Sequence, residues 1–172
     1  MSAKRIINID AVPLDARPKG YASPADSKQK FDARMAEVAI AIGAQKLGYN
    51  VTEIPPGFAA FPFHNHRNNE EMFFVLSGTG EVRIGSERHP LRAGDFVACP
   101  PGDQSTAHQI INTGTTDLRF LAVSTNLNPE ICEYPDSAKF SVSEKQRNAD
   151  GTSEGFRHVG RLADKVDYWE GE

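Results

Sequence analysis

Short apolar runs, separated by turn residues, recur along residues 51–125. The runs are 51–54, 72–76, 81–84, 95–98, 108–111 and 118–123. The breaks between them are rich in glycine and proline, as at residues 55–57 and 100–102. Regular short strands joined by such turns predict an antiparallel sandwich or barrel. Because the chain shows neither an alternation of strands and helices nor a tandem repeat, we predict an all-β fold.

The first fifty residues are less regular. Residues 5–9 predict a strand, and the polar, proline-rich residues 13–30 predict an irregular arm. Residues 31–47 are rich in alanine, which favours a helix. Within them, residues 38–42 alternate between β-branched residues and alanine and end at a glycine. We interpret this alternation as a strand.

After residue 126 the sequence is charged and interrupted by Pro129 and Pro135, which predicts a tail. Tyr168 and Trp169 are the expected anchor of this tail, because such aromatic side chains would be unusual in a free segment. We therefore divide the chain into three parts: an N-terminal arm with flanking strands (1–50), a barrel core (51–125) and a C-terminal extension packed on the barrel (126–172).

Composition and charge narrow the classes of partner. The net charge is −4, and the basic residues are scattered rather than clustered. This balance argues against a nucleic acid or an anionic membrane as a partner. No run approaches the length of a membrane span, and the first ten residues lack the apolar core of a signal peptide. We therefore expect a cytoplasmic protein.

The two cysteines, Cys99 and Cys132, match no zinc module, and we expect two reduced thiols.

The segment His64-Asn65-His66, followed by Glu71, carries the main chemical signal. Two histidines at positions i and i+2 of a strand point to the same face, so both can reach one ion. The polar residues 67–69 are prone to form a turn. A reversal there would bring Glu71, which opens the next apolar run, back beside the two histidines.

The period of two along that run separates two adjacent glutamates. It places Glu71, Phe73 and Val75 on one face of the strand. If Glu71 faces the histidines, Glu70 points away from them. The opposite face carries three apolar side chains, at positions 72, 74 and 76. An exposed stripe of that size needs cover, so we expect the N-terminal arm or the second subunit of a homodimer to pack there.

The period of two also assigns faces to the side chains around His108, which follows a strand bounded by glycine and proline. If His108 points inward, Ile110 and Asn112 do as well, and Gln109 and Ile111 point outward. The inner face then combines a polar cluster with apolar walls, which is typical of a small-molecule pocket. The expected pocket-lining residues are Phe73, Val75, Ile110 and Asn112.

Three imidazoles and one carboxylate form a ligand set for a single divalent transition metal. Mixed nitrogen and oxygen ligands suit Zn, Fe, Mn, Ni, Co or Cu and disfavour Ca or Mg. An octahedral ion would keep two positions for other ligands. The predicted metal ligands are His64, His66, Glu71 and His108.

Two spaced patterns resemble the motifs of the cupin superfamily. The first motif runs Gly, five residues, His-x-His, three or four residues, Glu, six residues, Gly. Here it has six residues rather than five after its first glycine, and its positions are Gly57, His64, His66, Glu71 and Gly78.

The second motif runs Gly, five residues, Pro-x-Gly, two residues, His, three residues, Asn. Its positions here are Gly94, Pro100, Gly102, His108 and Asn112. Five residues separate Gly102 from His108 instead of two, which lengthens a loop at the barrel mouth. Fifteen residues lie between the two motifs, as in many microbial single-domain cupins.

The resemblance implies an all-β jelly-roll barrel, the cupin double-stranded β-helix, with one metal inside. It also implies a small single-domain bacterial protein that binds a small molecule, often as a dimer. Residues 133–139 and 167–170 look like those of a group of poorly characterised bacterial cupins. The resemblance implies no single reaction.

Three hypotheses for function remain open, and with them whether the protein is an enzyme. The first is a sugar isomerase or epimerase, which needs a general base beyond the ligands; Tyr134, His89 and Glu70 are the candidates. The second is an Fe(II)-dependent dioxygenase, which needs less acid–base chemistry from the protein. The third is a non-catalytic small-molecule binder or sensor.

Overall fold

The computed structural model describes residues 5–16, 31–147 and 153–172. Their elements are nearly all strands, which confirms the all-β prediction. No helix within these ranges has both the length and the apolar character that a membrane crossing requires. The strands are β1 (Asp15–Ala16), β2 (Arg34–Ala36), β3 (Leu47–Ile54), β4 (Asn65–His66), β5 (Glu71–Ser77), β6 (Thr79–Ile84), β7 (Glu87–Arg92), β8 (Phe96–Cys99), β9 (His108–Ile111), β10 (Leu118–Thr125), β11 (Glu130–Tyr134), β12 (Lys139–Arg147) and β13 (Ser153–Gly160).

Three sheets form the fold in the described residues. The largest has the order β1-β2-β3-β10-β5-β8, and the others have the orders β7-β6-β9 and β13-β12-β11-β4. All the named strand pairs are antiparallel. Each of the six strands predicted from the apolar runs is present, with ends that differ by a few residues.

The hydrophobic core lies between the six-stranded and the three-stranded sheets. Phe73 and Val75 of β5 are 7% and 1% exposed, as the period of two predicts. The ring of Phe73 meets that of Phe120 edge to face, with centroids 5.6 Å apart. The main members of the cluster are Ile54, Phe73, Val75, Val82, Leu91, Val97, Ile110, Leu118 and Phe120.

The N-terminal predictions need correction. Residues 38–42 were expected to form a strand, but Val38–Ala41 form a single helical turn, α1. Its backbone closes i to i+4, with the Ile42 N–H bonded to the Val38 carbonyl at 3.2 Å. The high helix propensity of alanine therefore outweighs the short alternation.

Residues 5–9 form no strand, because 5–8 are irregular and Ile9–Ala11 form a 3₁₀ turn. Of the arm expected at 13–30, residues 17–30 lie outside the described residues.

The C-terminal part contains three strands where the sequence suggested a broken tail. β11 pairs with β4, placing Cys132 opposite His66, and β12 and β13 form a long antiparallel hairpin. The expected anchor is wrong. Tyr168 and Trp169 are 83% and 72% exposed and contact each other's rings rather than burying themselves in the barrel.

Candidate metal centre

Three strand ends bring the predicted ligands together. His64 immediately precedes β4, which ends at His66, while Glu71 is the first residue of β5 and His108 the first of β9. The backbones of His64 and His108 form a bridge, in which each N–H donates to the other carbonyl, at 3.2 and 2.8 Å. This bridge links the segment before β4 to β9. The four side chains therefore converge although they are distant along the chain.

Glu71 lies at the centre of the three imidazoles. Its Oε2 atom is 3.0 Å from Nε2 of His108, 3.3 Å from Nε2 of His66 and 4.0 Å from Nε2 of His64. Ligand atoms of His64, His66 and Glu71 all lie within 4.8 Å of one another. His108 joins this group through its contact with Glu71, and its side chain is only 3% exposed.

The donor set fits a divalent transition metal. Nε2 of His66 is buried and has no hydrogen-bond partner among the described residues, since its approach to the Glu71 carboxylate lacks hydrogen-bond geometry. A buried polar atom without a partner is costly, and a cation would satisfy it. The mixture of imidazole nitrogens with one carboxylate matches zinc, iron, manganese, nickel, cobalt or copper.

The outer nitrogens of two imidazoles face backbone carbonyls. Nδ1 of His64 lies 2.8 Å from the carbonyl of Pro62. Nδ1 of His108 lies 3.4 Å from the carbonyl of Thr106. In the tautomer with the N–H at Nδ1, each ring donates to its carbonyl and leaves Nε2 able to bind a cation. In the other tautomer, Nε2 of His108 donates to Glu71 at 3.0 Å instead.

The surroundings of His64 and His66 shift their pKa values in opposite directions. Burial, and after it the neighbouring His108, lower the pKa of His64 from 6.5 to about 4. Burial also lowers the pKa of His66, but its contacts with Cys132 and Glu71 raise it more, so its pKa rises from 6.5 to about 11. Burial raises the pKa of Glu71, but hydrogen bonding from His108 and contact with His66 bring it well below its usual range. At neutral pH Glu71 is therefore a carboxylate, and the pKa of its neighbour His66 favours the protonated ring.

Glu70 takes no part in the cluster. Its side chain is exposed, and its backbone N–H donates to Thr125 Oγ1 at 3.0 Å. The extended start of β5 thus turns the two adjacent glutamates to opposite sides. His89, another candidate base, is also exposed, and its Nε2 lies 3.2 Å from Glu87 Oε2.

The four predicted pocket-lining residues lie at different depths. The ring of Phe73 is 5.6 Å from that of His108. Val75 and Ile110 belong to the apolar core. Asn112 is fully buried and donates to the carbonyls of Ile54 and Thr116 at 2.7 and 2.8 Å. Their role as pocket-lining residues stays a prediction.

Gln109 departs from the expected outward position. It is 3% exposed because the segment before β4 covers this side of β9, and its side-chain amide donates to the carbonyl of Phe61 at 2.8 Å. The alternation of β9 therefore gives the direction of a side chain but not whether that side is solvent-exposed.

A cavity of ≈ 270 Å³ reaches Glu71 from the end of the barrel. Helix α1 and the ends of β3 and β10 enclose it. Its polar lining includes Glu37, Asn50, Ser124 and Lys145. The sequence patterns did not predict this cavity, because they assigned α1 to a strand.

Strand β11 supplies further contacts that no local motif signals. The ring of Tyr134 stacks on that of His64, with centroids 6.2 Å apart and planes at 23°. Cys132 Sγ lies 3.3 Å from Nδ1 of His66. Only the register between β11 and β4 brings these residues to the site.

The lengthened loop before His108 is well anchored. A 3₁₀ helix at Gln104–Thr106 fills it, and the Asp103 side chain caps that helix by accepting from the Ser105 N–H. The Gly102 N–H donates to the His66 carbonyl at 2.8 Å. The start of the loop, at Gly102, is thus tied directly to one of the candidate ligands.

Residues 50–124 match the family model of the cupin domain. An oxalate-binding protein from Thermotoga maritima is 37% identical over 71 residues, which cover 41% of this chain and 55% of that protein. An uncharacterised protein from Methanocaldococcus jannaschii is 33% identical over 72 residues, covering 42% and 48%. The chain spans about half the length of the curated relatives it matches.

Solved structures share the fold. A sugar phosphate isomerase of a cupin superfamily from Silicibacter pomeroyi has a TM-score of 0.73 at 20% identity, covering 96% of this chain and 98% of that one. A candidate sugar phosphate isomerase from Acidithiobacillus ferrooxidans has a TM-score of 0.66 at 26% identity, covering 79% and 80%. A predicted oxalate decarboxylase from Thermotoga maritima has a TM-score of 0.56 at 25% identity, covering 71% and 99%.

Proposed function

Because this chain carries a cupin domain at residues 50–124 and so belongs to the cupin superfamily, we propose that it binds one divalent transition metal inside the barrel. The convergence of the side chains on Glu71 Oε2 carries this proposal, since all three Nε2 atoms lie within 4.0 Å of that oxygen. The proposed ligands are His64, His66, Glu71 and His108.

Metal content and one pair of variants test this proposal. Protein purified without added metal is expected to contain close to one equivalent of a transition metal per chain. Glu71→Gln is expected to lower metal affinity by more than about 100-fold, beyond the loss typical of a residue that only supports a ligand. Glu70→Gln is the matched control, because this adjacent glutamate is exposed. Equal losses in the two variants would contradict the ligand assignment.

For the chemistry at this centre, we propose isomerase- or epimerase-like action on a small hydroxy-carbonyl compound, such as a sugar. A bound divalent ion would supply Lewis acidity toward an oxygen of such a compound. The cavity beside Glu71 offers room for a small molecule and mostly polar neighbours. The likeness to a candidate sugar phosphate isomerase at 26% identity also supports this class.

Tyr134 is the residue we propose for proton transfer in that reaction. It is the one of the three candidate bases that contacts a ligand, through its stacking on His64. Glu70 and His89 are both exposed and lie outside the cluster. The phenol oxygen of Tyr134 lies 3.5 Å from Ser141 Oγ, which gives it a neighbouring hydroxyl.

A non-catalytic role is the second candidate, as a binder of a small dicarboxylate. The specific observation is the 37% identity to an oxalate-binding protein over 71 residues. Two free positions on an octahedral ion would suit two oxygens of one ligand. Here His64, His66, Glu71 and His108 would hold the ion, and no general base would be needed.

Assays on metal-loaded protein distinguish these functions. Exchange of a substrate C–H proton with solvent, lost in Tyr134→Phe, supports the isomerase. Tight binding of oxalate without turnover supports the binder. Oxygen uptake with iron-loaded protein would instead favour an Fe(II)-dependent dioxygenase and contradict both.

We also propose that two copies of the chain associate through the outer face of β5 and β8. The rings of Phe74 and Phe96 lie 4.4 Å apart, with their planes tilted by 34°. Phe96 is 71% and Leu76 42% exposed. Strand β8 is also the last strand of its sheet among the described residues, so its outer edge is open to pairing. A second copy would cover the apolar face and the strand edge together.

Light scattering coupled to size exclusion tests the dimer. Phe96→Glu is expected to convert it to a monomer, because a charge would be buried in the interface. Phe156→Glu, at an exposed phenylalanine of β13, is the control and should leave the mass unchanged. A monomeric wild-type protein would contradict the dimer and favour cover from within the chain.

A further inference from the structure

Glu130, the first residue of β11, is a buried carboxylate with 8% exposure. Burying a carboxylate is costly unless hydrogen-bond donors satisfy it. The groups around Glu130 belong to the segment that joins two candidate ligands, His66 and Glu71. Glu130 is therefore placed to influence the metal centre from outside the cluster.

His66 directs its two ring nitrogens to opposite sides. Nε2 faces Glu71 at 3.3 Å, inside the cluster. Nδ1 lies 3.3 Å from Cys132 Sγ and 3.7 Å from Glu130 Oε1. A histidine that binds a metal through one nitrogen commonly donates the N–H of the other to an acceptor, which fixes the ring. The acceptors on β11 thus leave Nε2 as the nitrogen available to a metal.

The same carboxylate holds the turn between β4 and β5. Its Oε2 accepts hydrogen bonds from the backbone N–H of Asn69, at 3.1 Å, and from the Asn69 side-chain amide. Its Oε1 accepts from the backbone N–H of Ile131 at 2.9 Å. Because residues 67–70 alone separate His66 from Glu71, fixing this turn also fixes the spacing of those two side chains.

We propose that Glu130, assisted by Cys132, is a positioning residue that aims Nε2 of His66 and spaces His66 from Glu71 for metal binding. The inference rests on the proposed metal site. It gives a role in the centre to β11, which lies outside the residues that match the cupin domain. The C-terminal strands then help to build the site.

A competing arrangement exists in the same place, because His66, Glu130 and Cys132 form a second group of possible metal ligands. In that arrangement Nδ1 of His66 would bind the ion. The positioning role is favoured because both oxygens of Glu130 already accept backbone N–H groups. It is also favoured because Nε2 is the nitrogen without a hydrogen-bond partner among the described residues.

Titration of metal-free protein with Co(II), followed by visible absorption and calorimetry, tests the inference. Glu130→Gln keeps the size of the side chain but removes its charge, and is expected to weaken Co(II) binding by about 10- to 100-fold. Cys132→Ser removes the sulfur acceptor and is expected to shift the Co(II) absorption bands. Glu133→Gln is the matched control on the same strand, because Glu133 contacts Asn65 and Arg67 rather than the His66 ring.

Thermal unfolding of the metal-free variants separates positioning from a purely structural role. A lower Tm for Glu130→Gln, with unchanged Co(II) affinity and spectrum, overturns the inference. If Glu130→Gln does not fold, an unchanged spectrum of Cys132→Ser overturns it. So does a second ion in the wild-type protein that Cys132→Ser loses. Wild-type protein that binds no transition metal contradicts the proposed function itself, whereas normal binding by both variants contradicts only the positioning role.

Discussion

The barrel strands and the C-terminal hairpin are paired equally well but buried very differently. β3 and β10 pair at eight Cα positions, and so do β12 and β13. On β10, Leu118 and Phe120 are 0% and 2% exposed, whereas on β13 Phe156 and Val159 are 54% and 49% exposed. The same kind of backbone ladder therefore closes a core in one region and lies at the surface in the other.

This difference indicates where the stability of the chain resides. A backbone hydrogen bond contributes only about 1 kcal/mol net, because the unfolded chain bonds to water instead. Burial of apolar surface contributes about 25 cal/mol per Å². The barrel combines both contributions, while the β12–β13 hairpin relies mainly on the first. We therefore expect the barrel to set the free energy of unfolding.

The largest expected effect comes from a matched pair of phenylalanines. Phe120→Ala should lower the free energy of unfolding by about 3–5 kcal/mol, because it leaves a cavity in the core. Phe156→Ala should change it by less than about 0.5 kcal/mol, since its side chain is half exposed. Urea unfolding measures both. Similar losses would show that the hairpin is as essential to stability as the barrel.

The same contrast explains how much of the fold could be predicted from the sequence. Strands such as β5 and β6 have one face in the core, so their side chains alternate in burial and periodicity finds them. In β13 nearly every side chain is exposed, so its sequence carries no such alternation. Helix α1 is a single turn, too short for the period of 3.6 to be distinguished from a period of two.

A second matched pair of variants compares a glycine in a turn of the barrel with a glycine near the end of the C-terminal segment. Gly78 joins β5 to β6 with φ +84, and an added Cβ would lie 2.5 Å from the Asp117 carbonyl oxygen. Gly78→Ala should therefore destabilise the protein by about 3 kcal/mol, the upper end for a strained backbone position. Gly171 also has a positive φ, of +91, but nothing lies within 4 Å of its Cβ position.

Gly171→Ala is the control for backbone conformation alone. It lies near the end of the exposed C-terminal segment, where the chain can relax, so a change below about 0.5 kcal/mol is expected. Unfolding in urea again measures both variants. If Gly78→Ala cost no more than Gly171→Ala, the close approach at the β5–β6 turn would not matter to stability.

A third test concerns the junction between the two regions. Asn69 is buried, and its side-chain oxygen accepts from the Leu127 N–H at 2.7 Å and from Thr125 Oγ1 at 2.9 Å. Asn69→Ala removes the acceptor of these partly buried donors and the amide that donates to the buried Glu130 carboxylate, which should cost about 1–3 kcal/mol. Asn68→Ala is the matched control, because that neighbouring side chain is exposed. An equal, small loss in both variants would show that Asn69 does not hold the junction together.

As with the fold, one part of the candidate site could be predicted from local sequence patterns and another part could not. Alternation along β5 and β9 predicted which faces carry Glu71 and His108, because local geometry decides that. Glu130 and Cys132 reach His66 only through the pairing of β11 with β4, across more than sixty residues of chain. No local pattern encodes that register, since it is set by the whole arrangement of the sheets.

A last contrast needs no mutation and compares His64, which stacks on Tyr134, with His66, which contacts Cys132 and Glu71. Metal binding requires neutral imidazoles. His64, with its pKa lowered to about 4, is already neutral at pH 7, whereas His66, with its pKa raised to about 11, must lose a proton. Apparent metal affinity should therefore rise about tenfold, or 1.4 kcal/mol, for each unit of pH from about 5 to 9. Calorimetry in buffers of different ionisation enthalpy should show release of about one proton per ion at pH 7. Binding that releases no proton, with an affinity independent of pH, would mean that the contacts with Cys132 and Glu71 do not hold His66 protonated.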